Sequence, residues 1–380
     1  MSTPREAYIS KLARGLEKRR DAELLRTLEL PAGLDFTSND YLGFCESPIL
    51  RDAISLAIKE YGSGSGASRL LRGNHSVHVH AEEKLAAFCG REAALLFSSG
   101  FAANLGLFSA LTEKGDVLFS DSLNHASIID GMRLAKSARV IYQHQDLGDL
   151  ERKLKTTPCE GQRFIVTESV FSMDGDISNL PEIVALADQH QALVIVDEAH
   201  STGLYGQRGS GIVERDGLGQ RILCSMHTGG KALGVGGAWI AGDEPLIAHL
   251  VNHARSFIYS TAPIPALAFS LSKSLEHLSA NQDSVEKLHA RATYLRDTLR
   301  NMGIDTLTSD SHIIPVLIGE NDQALAVAQS MRDDGYDVRA VRPPTVPAGT
   351  ARLRLTVRST MQETMLFEFA QTLERHLANP

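Results

Sequence analysis

The sequence predicts an α/β protein with a mainly parallel central sheet, followed by a smaller α+β domain. Between Val117 and Val196, short apolar runs alternate with amphipathic helical segments, a rhythm typical of parallel strands joined by crossover helices. Beyond about Ile264 the pattern changes to long helical segments and a few strands. We therefore expect an N-terminal helical arm at residues 1–34, a large domain at 35–270 and a smaller domain at 271–380.

Composition limits the classes of function. The chain has 380 residues, of which 43% are hydrophobic, so it can bury a large core. Its net charge of −8 argues against binding to nucleic acid or to an anionic membrane surface. The four cysteines form no CxxC pair, and no uncharged apolar run is long enough to cross a bilayer. These features predict a globular protein of the reducing cytoplasm.

The N-terminal arm is predicted to be helical from Pro4 to about Leu28. Tyr8, Leu12 and Leu16 fall on one face of this helix, and basic residues occupy the others. A basic helix is usually a solvated surface, although it can also line the entry for an anionic substrate. The segment 36–43 that follows predicts a polar turn instead of a strand.

Two motifs in the next segment suggest ligand sites that we do not favour. Residues 62–69 resemble a dinucleotide fingerprint, but a helix precedes them instead of the required strand. His75, His78 and His80 suggest a metal site, yet no second cluster of ligands lies nearby in the sequence. A structural or solvated role is the better interpretation, and we expect no metal.

An anion site is predicted where the apolar run 93–97 leads into the small residues 98–104. Backbone N–H groups at the first turn of the helix that follows, together with the helix dipole, suit a phosphate dianion. For this stretch alone, an ordinary tight turn is an equally good interpretation.

Lys231 lies in a glycine-rich loop between two apolar runs, 222–226 and 238–241. Burial lowers the pKa of a lysine, and the neutral amine is the form that condenses with an aldehyde, so the loop predicts a lysine that forms a Schiff base. A phosphate-binding GxxxxGK[ST] loop is excluded because Ser225 and Ala232 occupy two of its fixed positions. A surface turn with a solvated lysine is an equally good interpretation of this window alone.

Asp197 directly follows the apolar run 193–196, so it emerges from the end of a buried strand. A buried carboxylate needs a cation or strong hydrogen bonds, and a protonated pyridine nitrogen would supply the cation. An arginine partner or a helix cap is the alternative. Other polar residues also follow strand ends, where ligands bind in parallel sheets; they are 124–125, 168–174, 198–200 and 228–231.

The smaller domain contains a stiff loop and two arginines. Three prolines restrict residues 342–347. Alternation along the strand 351–356 places Arg352 and Arg354 on the same face. Either arginine can bind a carboxylate bidentately or form a structural salt bridge.

These motifs, taken in order, resemble the α-oxoamine synthases over nearly the whole chain. Members of this family are pyridoxal-phosphate enzymes of fold type I, the aspartate-aminotransferase fold, that join an amino acid to an acyl thioester with loss of carbon dioxide. The motifs that carry the resemblance are 38–43 (SNDYLG), 64–73 (GSGASRLLRG), 99–104 (SGFAAN), 124–127 (NHAS), 170–176 (VFSMDGD), 197–200 (DEAH) and 228–231 (TGGK). The sequence departs from the family pattern at His227 and at Gly229 and Gly230.

The resemblance implies a bound pyridoxal phosphate and a homodimer with active sites at its interface. It assigns Lys231 to the cofactor's aldehyde, Asp197 to its ring nitrogen, His200 to its phenolic oxygen and His125 to stacking on its ring. The further residues that it implies around the cofactor and the substrates are Gly100, Phe101 and Thr228 at the phosphate, Ser260 or Thr261 at the neighbouring subunit's cofactor, Ser172 near the phenolic oxygen, Arg354 at the amino acid's carboxylate, Arg26 at the far carboxylate of the acyl chain, and Asn39 at the substrate.

Within the family, residues 342–354 most resemble the members that condense L-alanine with a pimeloyl thioester in biotin synthesis. Members that use glycine or serine with acetyl, succinyl or palmitoyl thioesters are the alternative. An aminotransferase is a second alternative. A non-catalytic regulator of the same fold would need a DNA-binding module, for which the arm is too short. The sequence leaves open whether coenzyme A or an acyl carrier protein carries the acyl group.

Overall fold

The computed structural model of the chain describes residues 3–378. Residues 1–2 and 379–380, at the outer ends of the expected arm and smaller domain, lie outside the described residues. The helices are α1 (Pro4–Asp21), α2 (Pro48–Tyr61), α3 (Ser76–Cys89), α4 (Gly100–Leu111), α5 (Ala126–Leu134), α6 (Leu147–Thr156), α7 (Leu180–Gln189), α8 (Ile212–Arg215), α9 (Glu244–His253), α10 (Arg255–Ile258), α11 (Pro265–Ala280), α12 (Gln282–Asn301), α13 (Asn321–Asp333) and α14 (Glu363–Ala378). The strands are β1 (Leu34–Asp35), β2 (Ala93–Phe97), β3 (Val117–Asp121), β4 (Ala138–Tyr142), β5 (Arg163–Glu168), β6 (Ala192–Asp197), β7 (Cys224–Thr228), β8 (Ala238–Gly242), β9 (Ile313–Gly319), β10 (Tyr336–Asp337), β11 (Ala340–Val341) and β12 (Ala351–Thr356).

A seven-stranded sheet in the order β2-β8-β7-β6-β5-β3-β4 forms the centre of the protein. Its strands run parallel except β8, which is antiparallel to both β2 and β7. Most residues of these strands are buried, as expected when helices cover both faces of a parallel sheet. The predicted α/β fold with a mainly parallel sheet is confirmed.

The register of this sheet brings polar strand ends together. Glu168 at the end of β5 pairs with Asp197 at the end of β6, and Asp197 in turn pairs with Met226 of β7. The carboxyl ends of these strands therefore meet at one edge of the sheet, which is where α/β sheets bind ligands.

A second, three-stranded antiparallel sheet has the order β11-β12-β9, and α12, α13 and α14 pack around it. The short parallel pair of β1 with β10 ties the end of the arm to this part of the chain. The expected boundary at 270–271 falls inside α11, which packs against α2 and α3. We therefore propose that the smaller domain begins after α11.

Two helical predictions need correction. The arm helix ends at Asp21 and does not reach Leu28, because Glu23 adopts a left-handed backbone conformation and Arg342 donates hydrogen bonds to the carbonyls of Glu23 and Leu25. The long helical stretch expected to reach Asn301 is two helices, α11 and α12, separated at Asn281.

The arm helix α1 contains no buried residue, so its apolar face is exposed in the single chain. Among residues 3–378, no helix combines the length and the apolar composition that a membrane crossing requires.

Candidate active site

A cavity of about 180 Å³ lies at the carboxyl ends of β5, β6 and β7, and we call it the strand-end cavity. Seven residues that were assigned a role from the sequence share its wall, together with four that were not assigned one. The lining residues are Gly100, Phe101, His125, Ser127, Glu168, Asp197, Ala199, His200, Met226, Thr228 and Lys231.

Lys231 projects from the loop between the antiparallel strands β7 and β8. The loop is tight: a Cβ added at Gly229 would meet the Gly236 carbonyl oxygen at 2.6 Å, and one at Gly234, where φ is +65°, would meet the Phe44 backbone at 2.5 Å. Glycine at both positions therefore lets the chain pass close to its neighbours.

Burial lowers the pKa of Lys231 to about 8, although the carboxyl groups of Asp197 and Glu168 favour its charged form. A lysine in water keeps its proton well above this pH. A substantial share of the Lys231 amine is therefore neutral near physiological pH, which is the form that attacks a carbonyl carbon.

The Asp197 carboxylate is 6% exposed and is fixed by two hydrogen bonds. Its Oδ1 accepts from the backbone N–H of Ala199 at 2.9 Å, and its Oδ2 accepts from Asn104 Nδ2 at 2.9 Å. Among residues 3–378 no arginine, lysine or histidine forms an ion pair with it. The alternative that Asp197 pairs with an arginine is therefore wrong. This buried carboxylate can pair with a cation that enters the cavity.

His125 caps the N-terminus of α5 and forms part of the same network. Its Nδ1 accepts a hydrogen bond from the Ser127 backbone N–H at 3.2 Å and lies 2.7 Å from Ser127 Oγ. The Ser127 oxygen accepts from Asn104 Nδ2 at 2.9 Å. Burial lowers the pKa of His125. Its imidazole ring is therefore neutral, and the hydrogen bonds to Ser127 fix it in the cavity wall.

The N-terminus of α4 opens onto the cavity at Gly100 and Phe101. Ser99 caps this helix by accepting from the Ala102 N–H at 3.2 Å. The hydroxyl of Thr228, across the cavity wall, donates to the Gly237 carbonyl at 3.0 Å and accepts from the Gly230 N–H at 3.2 Å. The first-turn N–H groups of α4 are the part of the wall best suited to an anion.

His200 rests on a buried cluster. Its Nδ1 lies 2.7 Å from the Tyr41 hydroxyl, which donates to Asn39 Oδ1 at 2.9 Å. Arg354 Nη2 also donates to Asn39 Oδ1, at 3.1 Å, and Arg354 Nε donates to the Ser172 carbonyl. This geometry brings Asn39, Ser172 and Arg354 next to the strand-end cavity, although they are not part of its lining.

The two arginines of β12 have different partners. Arg352 forms a buried ion pair with Asp174, with 2.7 Å between Nη1 and Oδ1. Among the described residues, Arg354 has no carboxylate partner. Of the two roles left open by the sequence, Arg352 takes the structural salt bridge, and the role of Arg354 at a carboxylate stays a prediction.

Three predicted residues lie elsewhere. Ser260 and Thr261 line a separate small cleft with Arg69 and Phe257, so their role toward a neighbouring subunit stays a prediction. Arg26 lines a second cavity of about 550 Å³, which we call the arm cavity because residues 20–29 form one of its walls.

Two of the histidines singled out from the sequence, His78 and His227, make structural contacts. His78 lies 2.8 Å from the Pro263 carbonyl through Nε2 and accepts from the His75 N–H through Nδ1. His227 faces away from the strand-end cavity, where it stacks on Trp239 and bonds to the Thr202 and Ser225 hydroxyls. Across residues 3–378, no group of three or more potential ligands is arranged for a metal ion.

Glu168 and Tyr41 lie in segments that the sequence analysis singled out, but neither received a role there. Glu168 is buried with Oε1 unpartnered among the described residues, and burial beside Asp197 raises its pKa well above the usual range. Its position in register with Asp197 was the available signal. Tyr41 belongs to the SNDYLG motif, but no local pattern places its hydroxyl under His200.

The chain resembles known proteins along nearly its whole length. The model of the family "Aminotransferase class I and II" matches residues 31–373. A putative 8-amino-7-oxononanoate synthase of Bacillus licheniformis is 44% identical over 348 residues, which cover 91% of each chain. The 8-amino-7-oxononanoate synthase of Geobacter sulfurreducens is 42% identical over 370 residues, which cover 93% of this chain and 95% of the relative.

Solved structures of proteins with these and related names have the same fold as this chain. A serine palmitoyltransferase from S. paucimobilis with a bound PLP–myriocin aldimine superposes with a TM-score of 0.90 at 29% identity, and 97% of each chain is covered. The 8-amino-7-oxononanoate synthase of Francisella tularensis superposes with a TM-score of 0.78 at 28% identity, covering 91% of this chain and 98% of that one.

Proposed function

This chain belongs to the class I and II aminotransferase family and, within it, to the α-oxoamine synthases, and from that premise we propose that it condenses L-alanine with a pimeloyl thioester to give 8-amino-7-oxononanoate. In this reaction a bond forms between the alanine Cα and the acyl carbonyl carbon, the thiol leaves, and the alanine carboxylate leaves as carbon dioxide.

The strand-end cavity fits the cofactor of the family, pyridoxal phosphate. The amine of Lys231 could bind the aldehyde, and the fixed carboxylate of Asp197 could bind the ring nitrogen. The neutral imidazole of His125 could stack on the ring, and the N-terminus of α4 could bind the phosphate. When bound, pyridoxal phosphate supplies an electron sink for the pair of electrons left at the substrate Cα. The buried carboxyl group of Glu168, with one oxygen unpartnered among the described residues, lines the same cavity.

Residues of the chain would bind the cofactor and the amino acid and would transfer the substrate proton. Lys231, with its lowered pKa, would hold the cofactor's aldehyde covalently, then take the proton from the substrate Cα and return it. Asp197 would keep the ring nitrogen protonated through its fixed carboxylate. His125 would hold the ring by stacking, and Arg354 would hold the amino acid's carboxylate with its planar fork.

The arm cavity supports the proposal that the acyl donor is a pimeloyl thioester. Its wall combines aliphatic side chains, among them Leu24, Leu25 and Val341, with the guanidinium groups of Arg26 and Arg342. Among the described residues Arg26 bonds to Thr345 Oγ1 at 2.9 Å, and neither arginine pairs with a carboxylate. An acyl chain that ends in a carboxylate needs such partners, whereas a palmitoyl chain does not.

The arm cavity also lies near Arg354, the residue proposed for the amino acid's carboxylate. Met173 lines it, and the carbonyl of the adjacent Ser172 accepts from Arg354 Nε. An acyl chain in the arm cavity would therefore place its thioester end toward the amino acid's carboxylate site.

We also propose a cytoplasmic homodimer. Tyr259 and Ile264, which flank the cleft residues 260–263 in the chain, and Leu71, two residues after Arg69 of the cleft, are exposed. The Ala262 N–H donates to the Ala67 carbonyl, which holds the two loops side by side. Exposed apolar clusters of this kind mark protein interfaces. A second copy seated here would bring Ser260 or Thr261 to its partner's cofactor.

The test is an assay of carbon dioxide release by the purified holoenzyme with alanine, glycine and serine, each against pimeloyl, acetyl, succinyl and palmitoyl thioesters. We expect alanine with the pimeloyl thioester to be the best pair, and comparing its coenzyme A and acyl-carrier-protein forms identifies the carrier. Glycine with a short acyl donor as the best pair would assign another α-oxoamine synthase, such as one resembling 2-amino-3-ketobutyrate CoA ligase. Amino transfer to a keto acid, with no carbon dioxide from any pair, would assign an aminotransferase.

A further inference from the structure

The hydroxyl of Tyr41 is the centre of a buried group of polar side chains. Tyr41 is 0% exposed, and its oxygen lies 2.7 Å from His200 Nδ1, 2.9 Å from Asn39 Oδ1 and 3.5 Å from Arg354 Nη2. We call these four residues the tyrosine cluster. The cluster lies between the strand-end cavity, which His200 lines, and the site that Arg354 provides for a carboxylate.

The donors in the cluster decide where each hydrogen lies. A guanidinium can only donate, so the Asn39 atom that lies 3.1 Å from Arg354 must be the carbonyl oxygen and not the amide nitrogen. The same oxygen lies 2.9 Å from the Tyr41 hydroxyl. Since this oxygen has no hydrogen, Tyr41 must donate its single hydrogen to Asn39.

The hydrogen on His200 follows from this assignment. The Tyr41 oxygen can offer only a lone pair to His200 Nδ1, so Nδ1 must carry a hydrogen. Burial holds the pKa of His200 well below its usual range, and the positive charges of Lys231 and Arg354 act in the same direction, as do His312 and His125. A neutral imidazole has only one N–H, so Nε2 is left with a bare lone pair.

We propose that Tyr41 is a positioning residue that fixes His200 in its Nδ1–H form, so that His200 presents a bare Nε2 to the strand-end cavity as an acceptor of a hydrogen. A hydroxyl beside Nε2 then donates its hydrogen to His200 instead of accepting one. The inference rests on the proposed function only in identifying that hydroxyl with the phenolic group of pyridoxal phosphate. The position of the hydrogen on His200 is independent of the substrates.

The cluster also links two sites. Arg354 Nη2 donates to Asn39 Oδ1, the atom that takes the Tyr41 hydrogen. Three hydrogen bonds, Arg354–Asn39, Asn39–Tyr41 and Tyr41–His200, therefore connect the carboxylate site to His200. An arginine drawn toward a carboxylate leaves Asn39 Oδ1 to Tyr41 alone, which keeps the same order of donors and the same bare Nε2.

The direct test is nitrogen-15 NMR of the holoenzyme labelled at histidine, at neutral pH. Two-bond nitrogen–proton correlations distinguish a nitrogen that carries hydrogen from one that does not, and the His200 signals are those lost in His200→Gln. We expect a protonated Nδ1 and a bare Nε2. A hydrogen on Nε2, alone or together with one on Nδ1, would overturn the proposal.

Two variants and one control test the cause. Asn39→Ala removes the acceptor of the Tyr41 hydrogen, so Tyr41 turns to donate to Nδ1 and the hydrogen of His200 moves to Nε2. Tyr41→Phe removes the hydroxyl and should leave His200 as a mixture of both forms. Tyr142→Phe is the matched control, because the Tyr142 hydroxyl is also buried but has no hydrogen-bond partner among the described residues.

The expected readouts separate positioning from general packing. Tyr41→Phe should change the visible absorption of the cofactor and its dependence on pH, and lower kcat by about 10²-fold, the size of a misplaced acid–base group. Tyr142→Phe should change neither the spectrum nor kcat. If Tyr41→Phe does not fold, Asn39→Ala decides, because Asn39 is partly exposed.

Two results would contradict the role of Tyr41: an unchanged His200 in Asn39→Ala, or equal spectral shifts in Tyr41→Phe and Tyr142→Phe. A failed substrate assay together with a bare Nε2 would remove the proposed reaction and leave the tyrosine cluster as described.

Discussion

The strand-end cavity and the arm cavity hold their charged side chains in different ways. In the strand-end cavity, Asp197 and Lys231 are set by a sheet whose register is fixed, and hydrogen bonds from buried groups restrict Asp197 further. In the arm cavity, Arg26 and Arg342 lie on irregular segments and bond to a hydroxyl and to backbone carbonyls. The first region holds its charged groups by regular structure and buried hydrogen bonds, and the second presents its arginines from loop segments.

This difference suggests a division of labour between bond chemistry and acyl selection. Chemistry needs a preorganised environment, in which small displacements are costly. Selection of an acyl chain requires only volume and a counter-charge, so changes in the arm cavity should alter KM and substrate preference and leave the chemical step nearly intact. The four changes that follow test this division.

The largest effect is expected from Lys231→Ala, which removes the amine at the centre of the strand-end cavity. We expect kcat to fall by about 10³-fold or more, as for the loss of a group that moves substrate protons. Borohydride reduction of the wild-type holoenzyme followed by peptide mapping should place the cofactor on Lys231. A label on another lysine would contradict the assignment.

Lys273→Ala is the matched control, because the Lys273 amine is partly exposed, contacts Glu276 and the Phe269 ring, and should be dispensable. The reaction of the cofactor-free protein with an aldehyde should also report the lowered pKa of Lys231. The amine is protonated below its pKa, so the rate should rise with pH through about 8. A rate that continues to rise in the range of an ordinary lysine would indicate a solvated side chain.

Asp197→Asn is expected to come next, because the carboxylate is fixed by two hydrogen bonds and forms no ion pair among the described residues. The amide keeps the shape but cannot stabilise a protonated ring nitrogen, so activity should fall by about 10²-fold or more, the size of losing one preorganised electrostatic partner. The variant should fold and bind cofactor, as circular dichroism and absorption would check. Asp188→Asn, at an exposed ion pair with Arg221, serves as the control. Near-normal turnover of cofactor-loaded Asp197→Asn would refute this role.

The sequence predicts the strand-end cavity well because the fold itself places it. Lys231 and Asp197 follow recognisable apolar strands, and the carboxyl ends of neighbouring parallel strands must meet. Their convergence needed no knowledge of distant contacts. Even the register of Glu168 beside Asp197 follows from strand ends, although its unpartnered carboxyl oxygen does not.

Contacts between distant segments were beyond sequence reasoning. Tyr41 meets Arg354 across 313 residues of chain, and nothing local marks either as the other's partner. The early end of α1 has the same origin: Arg342 binds the carbonyls that follow the helix, and no proline or glycine near Asp21 predicts a stop. The expected domain boundary falls inside α11 because the amphipathic pattern gives no break in that helix, and our placement after α11 stays a proposal.

Arg354→Lys is predicted to act more on binding than on the chemical step. Lysine keeps the charge but loses the planar fork, so kcat/KM for alanine should fall by about tenfold to 10²-fold, the cost of one to two charge-assisted hydrogen bonds. KM for the acyl thioester should change little. Arg352→Lys is the control on the same strand: it weakens the buried pair with Asp174 and should lower thermal stability more than alanine binding. Equal effects on alanine KM would contradict the separate roles of the two arginines.

The smallest effect is expected from Arg26→Ala in the arm cavity. Arg26 is exposed and its observed partner is the Thr345 hydroxyl, so the fold loses little without it. A far carboxylate would lose one charge-assisted hydrogen bond, which in an exposed setting corresponds to about a tenfold rise in KM for the pimeloyl thioester. KM for an acyl thioester without a terminal carboxylate should stay unchanged, and so should kcat with either donor. Arg14→Ala, on the exposed arm helix, should alter neither. If Arg26→Ala lowers kcat and leaves KM alone, the arm cavity takes part in the chemistry, and the division between the two regions is wrong.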